Sequence, residues 1–209
     1  MTARSALAGV TLALVALTAA AVAAAATPVT RHTAPGTPLS LALPRSWITV
    51  DAEDVAKGAA DALAKNNPQL AGVLKALSQP GTAARLFAFD PQIVQGFATN
   101  VNIIEVTLPG GITIDEYARL LRAELQGLAQ RTGKLIVRTV RIPAGRAVRS
   151  SYRIRVNLDA GKSVLASLVQ IGMLRGRTSY IVTYTTLASR LAHYAAAFDA
   201  SIRSIRLKR

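Results

Sequence analysis

Cysteine is absent from the 209-residue sequence. Its absence excludes disulfide bonds, thiolate metal sites, cysteine nucleophiles and lipid attachment to an N-terminal cysteine. Histidine is nearly as scarce, because only His32 and His193 occur, and neither has a second metal ligand at the spacing that a metal site requires. The sequence therefore predicts no metal centre, and it contains no motif for a cofactor.

Acidic residues are few, with 11 aspartates and glutamates against 25 lysines and arginines, which leaves a net charge of +14. A strongly basic protein attracts anionic partners, such as nucleic acids, acidic lipid headgroups and acidic polymers. A second interpretation stays open. Arginine outnumbers lysine by 19 to 6, and this bias is also typical of proteins from GC-rich genomes.

Charged residues are missing from Ala6 to Ala26, an apolar segment that follows Arg4 and ends in three alanines. This order is typical of a secretory signal peptide. We therefore expect a signal peptide at residues 1–26, a proline- and glycine-containing linker at 27–37, and one secreted or envelope domain at 38–209. The alternative is an uncleaved membrane anchor, because about 20 uncharged residues are enough to cross a bilayer.

The spacing of apolar residues in the rest of the chain predicts an α+β domain. A capping box at Thr113 and Glu116 begins an amphipathic helix that Gly133 ends, and hairpin turns between the strands after it predict an antiparallel meander. The third strand of the meander is apolar on both faces, so we expect it inside the sheet. Trp47 and Tyr152 are predicted core residues. The predicted elements are strands at 39–43, 85–89, 98–108, 135–142, 147–157, 163–174 and 179–185, two short helices after Asp51 that separate at Pro68, and a last helix from Leu187 to Ile205.

Three segments resemble the PsbP-like superfamily. Residues 43–47 (LPRSW) are similar to its Leu-Pro-x-x-Trp opening, residues 113–128 correspond to its central helix, and residues 179–186 (SYIVTYTT) are similar to its closing strand. The superfamily includes the PsbP subunit of photosystem II, a Ran-binding transport factor of yeast and LpqN-type lipoproteins of actinobacteria. The resemblance, strongest to the LpqN-type group, implies an antiparallel sheet sandwiched between helical layers and a non-enzymatic accessory or binding role. This chain departs from the LpqN-type lipoproteins because it lacks a cysteine for lipidation.

No catalytic motif occurs in the sequence. Gly161-Lys162-Ser163 lacks the earlier glycine of a phosphate-binding loop, since Val156 stands in its place, and no serine lies in a nucleophile elbow. Glu105 is an isolated carboxylate in an apolar strand, where it either faces water at a sheet edge or pairs with an arginine. We therefore predict no catalytic residues. The alternative is a secreted hydrolase whose site forms only in the fold, from Glu105, His193 or a serine.

Arginines are concentrated between residues 131 and 177. Three of them alternate with apolar residues on one predicted strand, which places them on one face of a sheet. The predicted basic face for an anionic partner comprises Arg138, Arg141, Arg149, Arg153, Arg155, Arg175 and Arg177. Its partner would be a protein, an acidic envelope polymer or anionic lipid headgroups, and nucleic acid is not expected in that compartment. The alternative is a solvated sheet margin without a partner.

Overall fold

The fold comes from a computed structural model, which describes residues 28–51, 84–108, 110–158 and 162–208. These residues form two antiparallel sheets, two α-helices and a 3₁₀ helix at Ala188–Arg190. The predicted signal peptide and the predicted helices around Pro68 lie outside the described residues. Strands β1 to β10 are Val29–Thr33, Leu39–Pro44, Ile48–Asp51, Ala84–Val94, Phe97–Thr107, Arg131–Ile142, Gly145–Asn157, Ser163–Arg175, Thr178–Leu187 and Arg206–Leu207, and helices α1 and α2 are Ile114–Gln126 and Leu191–Ser204.

The larger sheet has seven strands in the order β3-β4-β5-β9-β8-β7-β6. All neighbouring strands are antiparallel, and β6 to β9 form the predicted meander. Strand β8 lies between β7 and β9, and both of its faces are buried, as its apolar residues predict. Ala166 and Leu168 pack on one face, while Val169 and Ile171 pack on the other.

Strands β4 and β5 form one hairpin that is longer than the spacing predicts. The turn contains Gln95 and Gly96, both with positive φ angles of 54° and 76°. This left-handed conformation matches the twist of a tight hairpin. Pro91 lies within β4 and has no N–H to donate, and a β-bulge between Phe89 and Ile93 accommodates it. Proline and glycine are turn signals, which explains why the sequence predicts a first strand that already ends at residue 89.

Residues 29–33 form strand β1, although their composition predicts a linker. Strand β1 pairs with β2 along its whole length, from Val29 opposite Pro44 to Thr33 opposite Ser40, and β10 pairs with the other edge of β2. Strand β2 is buried, so its backbone N–H and C=O groups need partners on both sides. The side chains of β1 are mostly exposed, and a strand held by its backbone leaves no apolar pattern in the sequence.

Helix α1 begins at the predicted capping box. The Thr113 hydroxyl accepts from the Glu116 N–H at 3.2 Å, and the Glu116 carboxylate accepts from the Thr113 N–H at 2.7 Å. The hydrogen bond from the Thr113 backbone lowers the pKa of Glu116, so this carboxylate stays charged. The helix ends at Gln126 with Gly127 as its C-cap, earlier than the predicted Gly133, because the chain enters β6 at Arg131.

Helix α2 ends at Ser204, one residue before the predicted end. Ile205 has extended backbone angles (φ −56°, ψ 133°), and the next two residues pair with β2. Arg206 therefore lies in strand β10, directly after the helix. Neither described helix is long and apolar enough to cross a membrane.

The two helices pack on opposite faces of the larger sheet. Tyr117, Leu121 and Leu125 of α1 lie in a buried cluster with Val148 and Tyr152 of β7. The antiparallel sheet is confirmed, and each face carries one of the described helices, while strands form most of the described residues. The cluster on the other face contains Tyr194, Phe198 and Ile202 of α2 with Leu39, Leu41, Trp47, Ile171, Val182 and Tyr184.

Candidate functional site

Strand β7 divides its side chains between the two faces of the larger sheet. Ala147 lies in the cluster beneath α2, whereas Val148 lies in the cluster beneath α1. Side chains two residues apart on a strand share a face. Arg149, Arg153 and Arg155 are therefore on the α2 side together with Ala147, so the structure places these three arginines on one face.

Arg138 of β6 lies directly opposite Arg149 in the β6–β7 ladder. Residues at such positions have Cβ atoms about 5 Å apart, and like charges there destabilise the sheet. Asp199 of α2 offsets part of this repulsion, because Arg149 Nη1 donates to Asp199 Oδ1 at 3.0 Å. The ion pair also joins helix α2 to strand β7.

Arg141 is assigned to the other side of the sheet from Arg138 by its position in the β6–β7 ladder. It lies opposite Arg146, whose guanidinium forms an ion pair with Asp115 of α1 at 2.9 Å. The backbone register therefore assigns Arg141 to the α1 side of edge strand β6. From that edge it also borders a cavity on the α2 side, so it lies at the margin of the basic face.

Arg175 and Arg177 have contacts elsewhere and do not join the arginines of β7 in one basic face. Arg175 Nη1 donates to the backbone carbonyl of Lys208 at 2.7 Å, and this contact ties it to the end of the chain. Arg177 lies in the β8–β9 turn, and its side chain lies against Gly110. The observed basic face is therefore shorter than the predicted one and is centred on β7.

A cavity of about 470 Å³ lies between α2 and strands β6, β7 and β8. Pockets of this size that combine apolar walls with a few polar groups are typical of small-molecule sites. Its apolar walls include Ile136, Val169, Leu191, Ala195 and Phe198. Its polar lining comprises Lys134, Arg149, Ser151, Arg153, Ser167 and Asp199. We call it the larger cavity.

A second cavity of about 270 Å³, the smaller cavity, is bordered by Arg138, Arg141, Arg149, Arg203 and Asp199. Four guanidinium groups and one carboxylate give it an excess of positive charge, which attracts anions. Both cavities include Arg149 and Asp199 in their walls. The ion pair between these two residues therefore borders both cavities.

Sequence reasoning missed Asp199, Arg203 and Ser167. Asp199 and Arg203 are four residues apart, and this spacing alone shows that they share one face of α2. The rotation of α2 about its own axis, which points that face towards β7, depends on tertiary packing and is not contained in the spacing. Ser167 is a polar residue within the apolar strand β8, which was a usable signal for a special environment.

The groups that would favour a hydrolase do not converge in the described residues. Glu105 lies on inner strand β5, where its Oε2 pairs with Arg85 Nε at 3.1 Å. His193 is exposed on α2, with its ring edge-on to Tyr194 at 4.8 Å. Among the described residues, no three histidine, aspartate or glutamate side chains form a group that could hold a metal ion. The site therefore offers cations and a hydroxyl for binding, without a paired acid and base.

Trp47 and Tyr152 are core residues, as the sequence predicts, with 8% and 6% of their surface exposed. The Trp47 ring meets Tyr194 edge-on at 6.4 Å between centroids. Burial raises the pKa of Tyr152 to about 12, so its phenol stays neutral at physiological pH. Both rings stabilise the buried clusters instead of providing stacking surfaces for a ligand.

No protein-family model and no curated protein matches the sequence. Solved structures do match. LpqN of Mycobacterium tuberculosis, a protein involved in cell envelope biogenesis, is similar with a TM-score of 0.54 and 11% identity over 87% of this chain and 92% of LpqN. The fold is LpqN-like. This likeness confirms the predicted PsbP-like resemblance at the level of the fold.

Two other solved structures match over similar lengths. Cyanobacterial PsbP from Synechocystis has a TM-score of 0.45 and 14% identity over 88% of this chain and 95% of its own. The Ran-binding protein Mog1p from Saccharomyces cerevisiae has a TM-score of 0.48 and 10% identity over 87% and 96%. At identities this low, structural similarity shows a shared fold but does not show a shared functional site. Function is therefore inferred from this chain's own arginines and cavities.

Proposed function

We propose that this chain is an exported, non-catalytic accessory domain of the cell envelope that binds an acidic polymer. Its N-terminal segment has the composition of a secretory signal, and its fold is similar to that of LpqN, which is involved in cell envelope biogenesis. The binding surface is the arginine trough, which we define as Arg138, Arg149, Arg153, Arg155 and Arg203.

The position of Arg138 opposite Arg149 carries the proposal. Like charges at directly opposed strand positions repel each other, and Asp199 pairs with Arg149 alone. Arg138, Arg153 and Arg203 have no carboxylate partner among the described residues. A bound anion would relieve the repulsion and would accept charge-assisted hydrogen bonds from the planar guanidinium groups.

The shape of the trough favours a chain polymer over a membrane surface. Arg149 and Arg153 lie on the sheet beside α2, which forms a wall of the larger cavity. A helix is about 10 Å across, so a flat bilayer that rests on α2 stays above the sheet. A polymer chain can lie along β7, where Arg153 and Arg155 are two residues and about 7 Å apart. Successive anionic groups of the polymer would then bind these guanidinium groups.

The first test replaces Arg149, Arg153 and Arg155 together with serine in the protein expressed with its native N-terminal segment. Each free basic residue contributes about 1 kcal/mol to binding an anionic surface, and Arg149 contributes less because Asp199 already pairs with it. We therefore expect affinity for long-chain polyphosphate to fall by roughly 30-fold. Titration across a salt series measures this loss, and the parent should bind more weakly as salt increases.

The matched control replaces Arg119, Arg175 and Arg177 with serine, which removes the same charge outside the trough. We expect this control to lose less than about threefold in affinity, because its arginines lie away from the polymer. Vesicles that contain an anionic phospholipid should bind the parent more weakly than polyphosphate does. Equal losses in the two triple variants would mean that net charge alone attracts the polymer, and absence of binding at low salt would end the proposal.

Asp199→Asn is expected to strengthen polyphosphate binding by about fivefold, which corresponds to about 1 kcal/mol for one charge. The change frees the Arg149 guanidinium and removes the carboxylate from the trough. Asp115→Asn is the matched control, since Asp115 pairs with Arg146 on the α1 side and removes the same charge. The same titration measures both variants. A gain of equal size in Asp115→Asn would place the polymer elsewhere on the surface.

A further inference from the structure

The larger cavity contains a buried hydroxyl without a partner. Ser167 is one of the residues that line the cavity and is 3% exposed, and its buried Oγ atom has no hydrogen-bond partner in the described residues. Buried polar atoms are almost always hydrogen-bonded, because an unpaired one loses its water without compensation. A polar atom of a molecule bound against Ser167 would supply the missing partner.

Cations lie in the same cavity without carboxylate partners. Lys134 and Arg153 both line it, and neither forms an ion pair with a described residue. Arg149 is the third cation, and it is held by Asp199. A guanidinium and an ammonium group that converge on one cavity favour an anionic group on its occupant.

The apolar part of the cavity is also incompletely covered. Ile136 lines the cavity and is 45% exposed. The sides formed by Phe198 and Val169 are apolar and adjoin the core beneath α2. An occupant with an apolar body would remove this surface from water.

We propose that the larger cavity binds a small amphipathic anion. Its apolar body would pack against Phe198, Val169 and Ile136. Its carboxylate, phosphate or sulfonate group would bind Arg153 and Lys134, and a polar atom within the body would bind the Ser167 hydroxyl. This inference goes beyond the proposed polymer contact, because it concerns a small molecule bound in the cavity between α2 and the sheet.

The test uses two fluorescent probes that differ by one group. Anilinonaphthalene sulfonate has two aromatic ring systems joined by an N–H group, and it carries a sulfonate. N-phenylnaphthylamine has the same two ring systems without the sulfonate. The sulfonate probe is expected to bind the parent protein about tenfold more tightly than the neutral probe. Inorganic phosphate alone should displace it poorly, because it lacks the apolar body. Equal affinities for the two probes would overturn the anionic part of the proposal.

Variants then locate the site. Arg153→Gln should weaken the sulfonate probe by about tenfold and Ser167→Ala by about threefold. Arg155→Gln is the matched control, since Arg155 is on the same face of β7 but lines neither cavity. It should change the affinity by less than about twofold, because an exposed charge outside the cavity is screened.

Ala195→Phe provides a test that does not depend on charge. Ala195 is exposed on α2 and lines the cavity, so a phenyl group there fills the cavity without disturbing the core. Binding of both probes should be lost. Polyphosphate binding should fall less, because Arg138, Arg155 and Arg203 of the trough do not line this cavity. Unchanged probe binding in this variant would overturn the inference and leave the proposed function intact. A parent protein that binds the probes but not polyphosphate, with probe binding lost in Ala195→Phe, would overturn the proposed function and leave the inference intact.

Competition with the fluorescent probe identifies the kind of apolar group that the cavity accepts. Decanoate carries its negative charge on a flexible chain, and naphthalene sulfonate carries the same charge on a rigid ring system. Displacement of the fluorescent probe by either one supports the proposal and shows which body fits the cavity. Displacement by neither at concentrations tenfold above the probe's dissociation constant would overturn it.

Discussion

Replacing Gly172 with alanine is expected to destabilise the fold by about 3 kcal/mol, at the upper end of the range for overpacked cores. Gly172 lies in β8 beneath the ring of Tyr117 in α1. A Cβ atom at this position would lie 2.5 Å from Cε1 and 2.8 Å from Oη of Tyr117. Non-bonded carbon atoms are normally about 3.5–4.0 Å apart, so the helix or the strand would have to move.

The Tyr117 ring is buried and hydrogen-bonded, which restricts its movement. It is 6% exposed, and its Oη accepts a hydrogen bond from the Ser179 hydroxyl at 3.0 Å. Helix α1 is itself fixed to the sheet, because Arg122 Nη2 donates to the backbone carbonyl of Val137 at 2.7 Å. The absence of a side chain at Gly172 is therefore what lets α1 lie close to the sheet.

Chemical denaturation of Gly172→Ala and three further variants tests this contact. Tyr117→Leu in the Gly172→Ala background should recover part of the lost stability because it removes the ring. Tyr117→Phe in the same background should recover little, since the Cε1 contact remains. Gly127→Ala, whose added Cβ would meet the backbone oxygen of Glu124 at 3.4 Å, is the control and should change stability by less than about 1 kcal/mol. A Gly172→Ala protein as stable as the parent would contradict this packing of α1.

The same helix shows what local sequence can predict. The capping box at Thr113 and Glu116 is a set of contacts within four residues, so it could be read directly and the structure contains it. The close approach of Tyr117 to Gly172 joins residues on different elements. Nothing in the sequence around Gly172 distinguishes a glycine required by a helix above it from a glycine that marks a turn.

Strand β1 is an element that its own sequence does not predict. Its residues are polar and its side chains are mostly exposed, so no periodic apolar pattern marks it. It forms because β2, which is apolar and buried, has an edge with backbone groups that need partners. A strand whose stability comes from its neighbour cannot be predicted from its own composition.

The candidate site was predicted in part for the same reason. Period-two alternation placed Arg149, Arg153 and Arg155 on one face, because this rule depends only on local geometry. Which face of β7 carries α2, and which of its residues lie opposite, depends on the packing of α2. Asp199 and the two cavities could therefore be found only in the fold.

Phe198→Ala is expected to destabilise the protein by about 4 kcal/mol, because truncating a buried phenylalanine removes its buried surface and leaves a cavity. Phe198 of α2 is 3% exposed. Its ring centroid lies 5.1 Å from that of Tyr184 and 5.8 Å from that of Tyr194, with the latter pair nearly parallel. Aromatic pairs in such arrangements contribute about 1 kcal/mol beyond the surface they bury.

The position of Phe198 makes this variant a test of the site as well as of stability. Phe198 lies between the core beneath α2 and the larger cavity, so it fixes the wall against which an amphipathic ligand would pack. Phe198→Leu keeps an apolar wall and should lose only about 1–2 kcal/mol. Leu120→Ala on α1 is the control, since Leu120 is 59% exposed, and it should change stability by less than about 0.5 kcal/mol. Denaturant unfolding compares the three variants. If Phe198→Ala loses no more than Leu120→Ala, α2 is not anchored through this ring, and neither the cavity wall nor the trough beside α2 would have the position that binding requires.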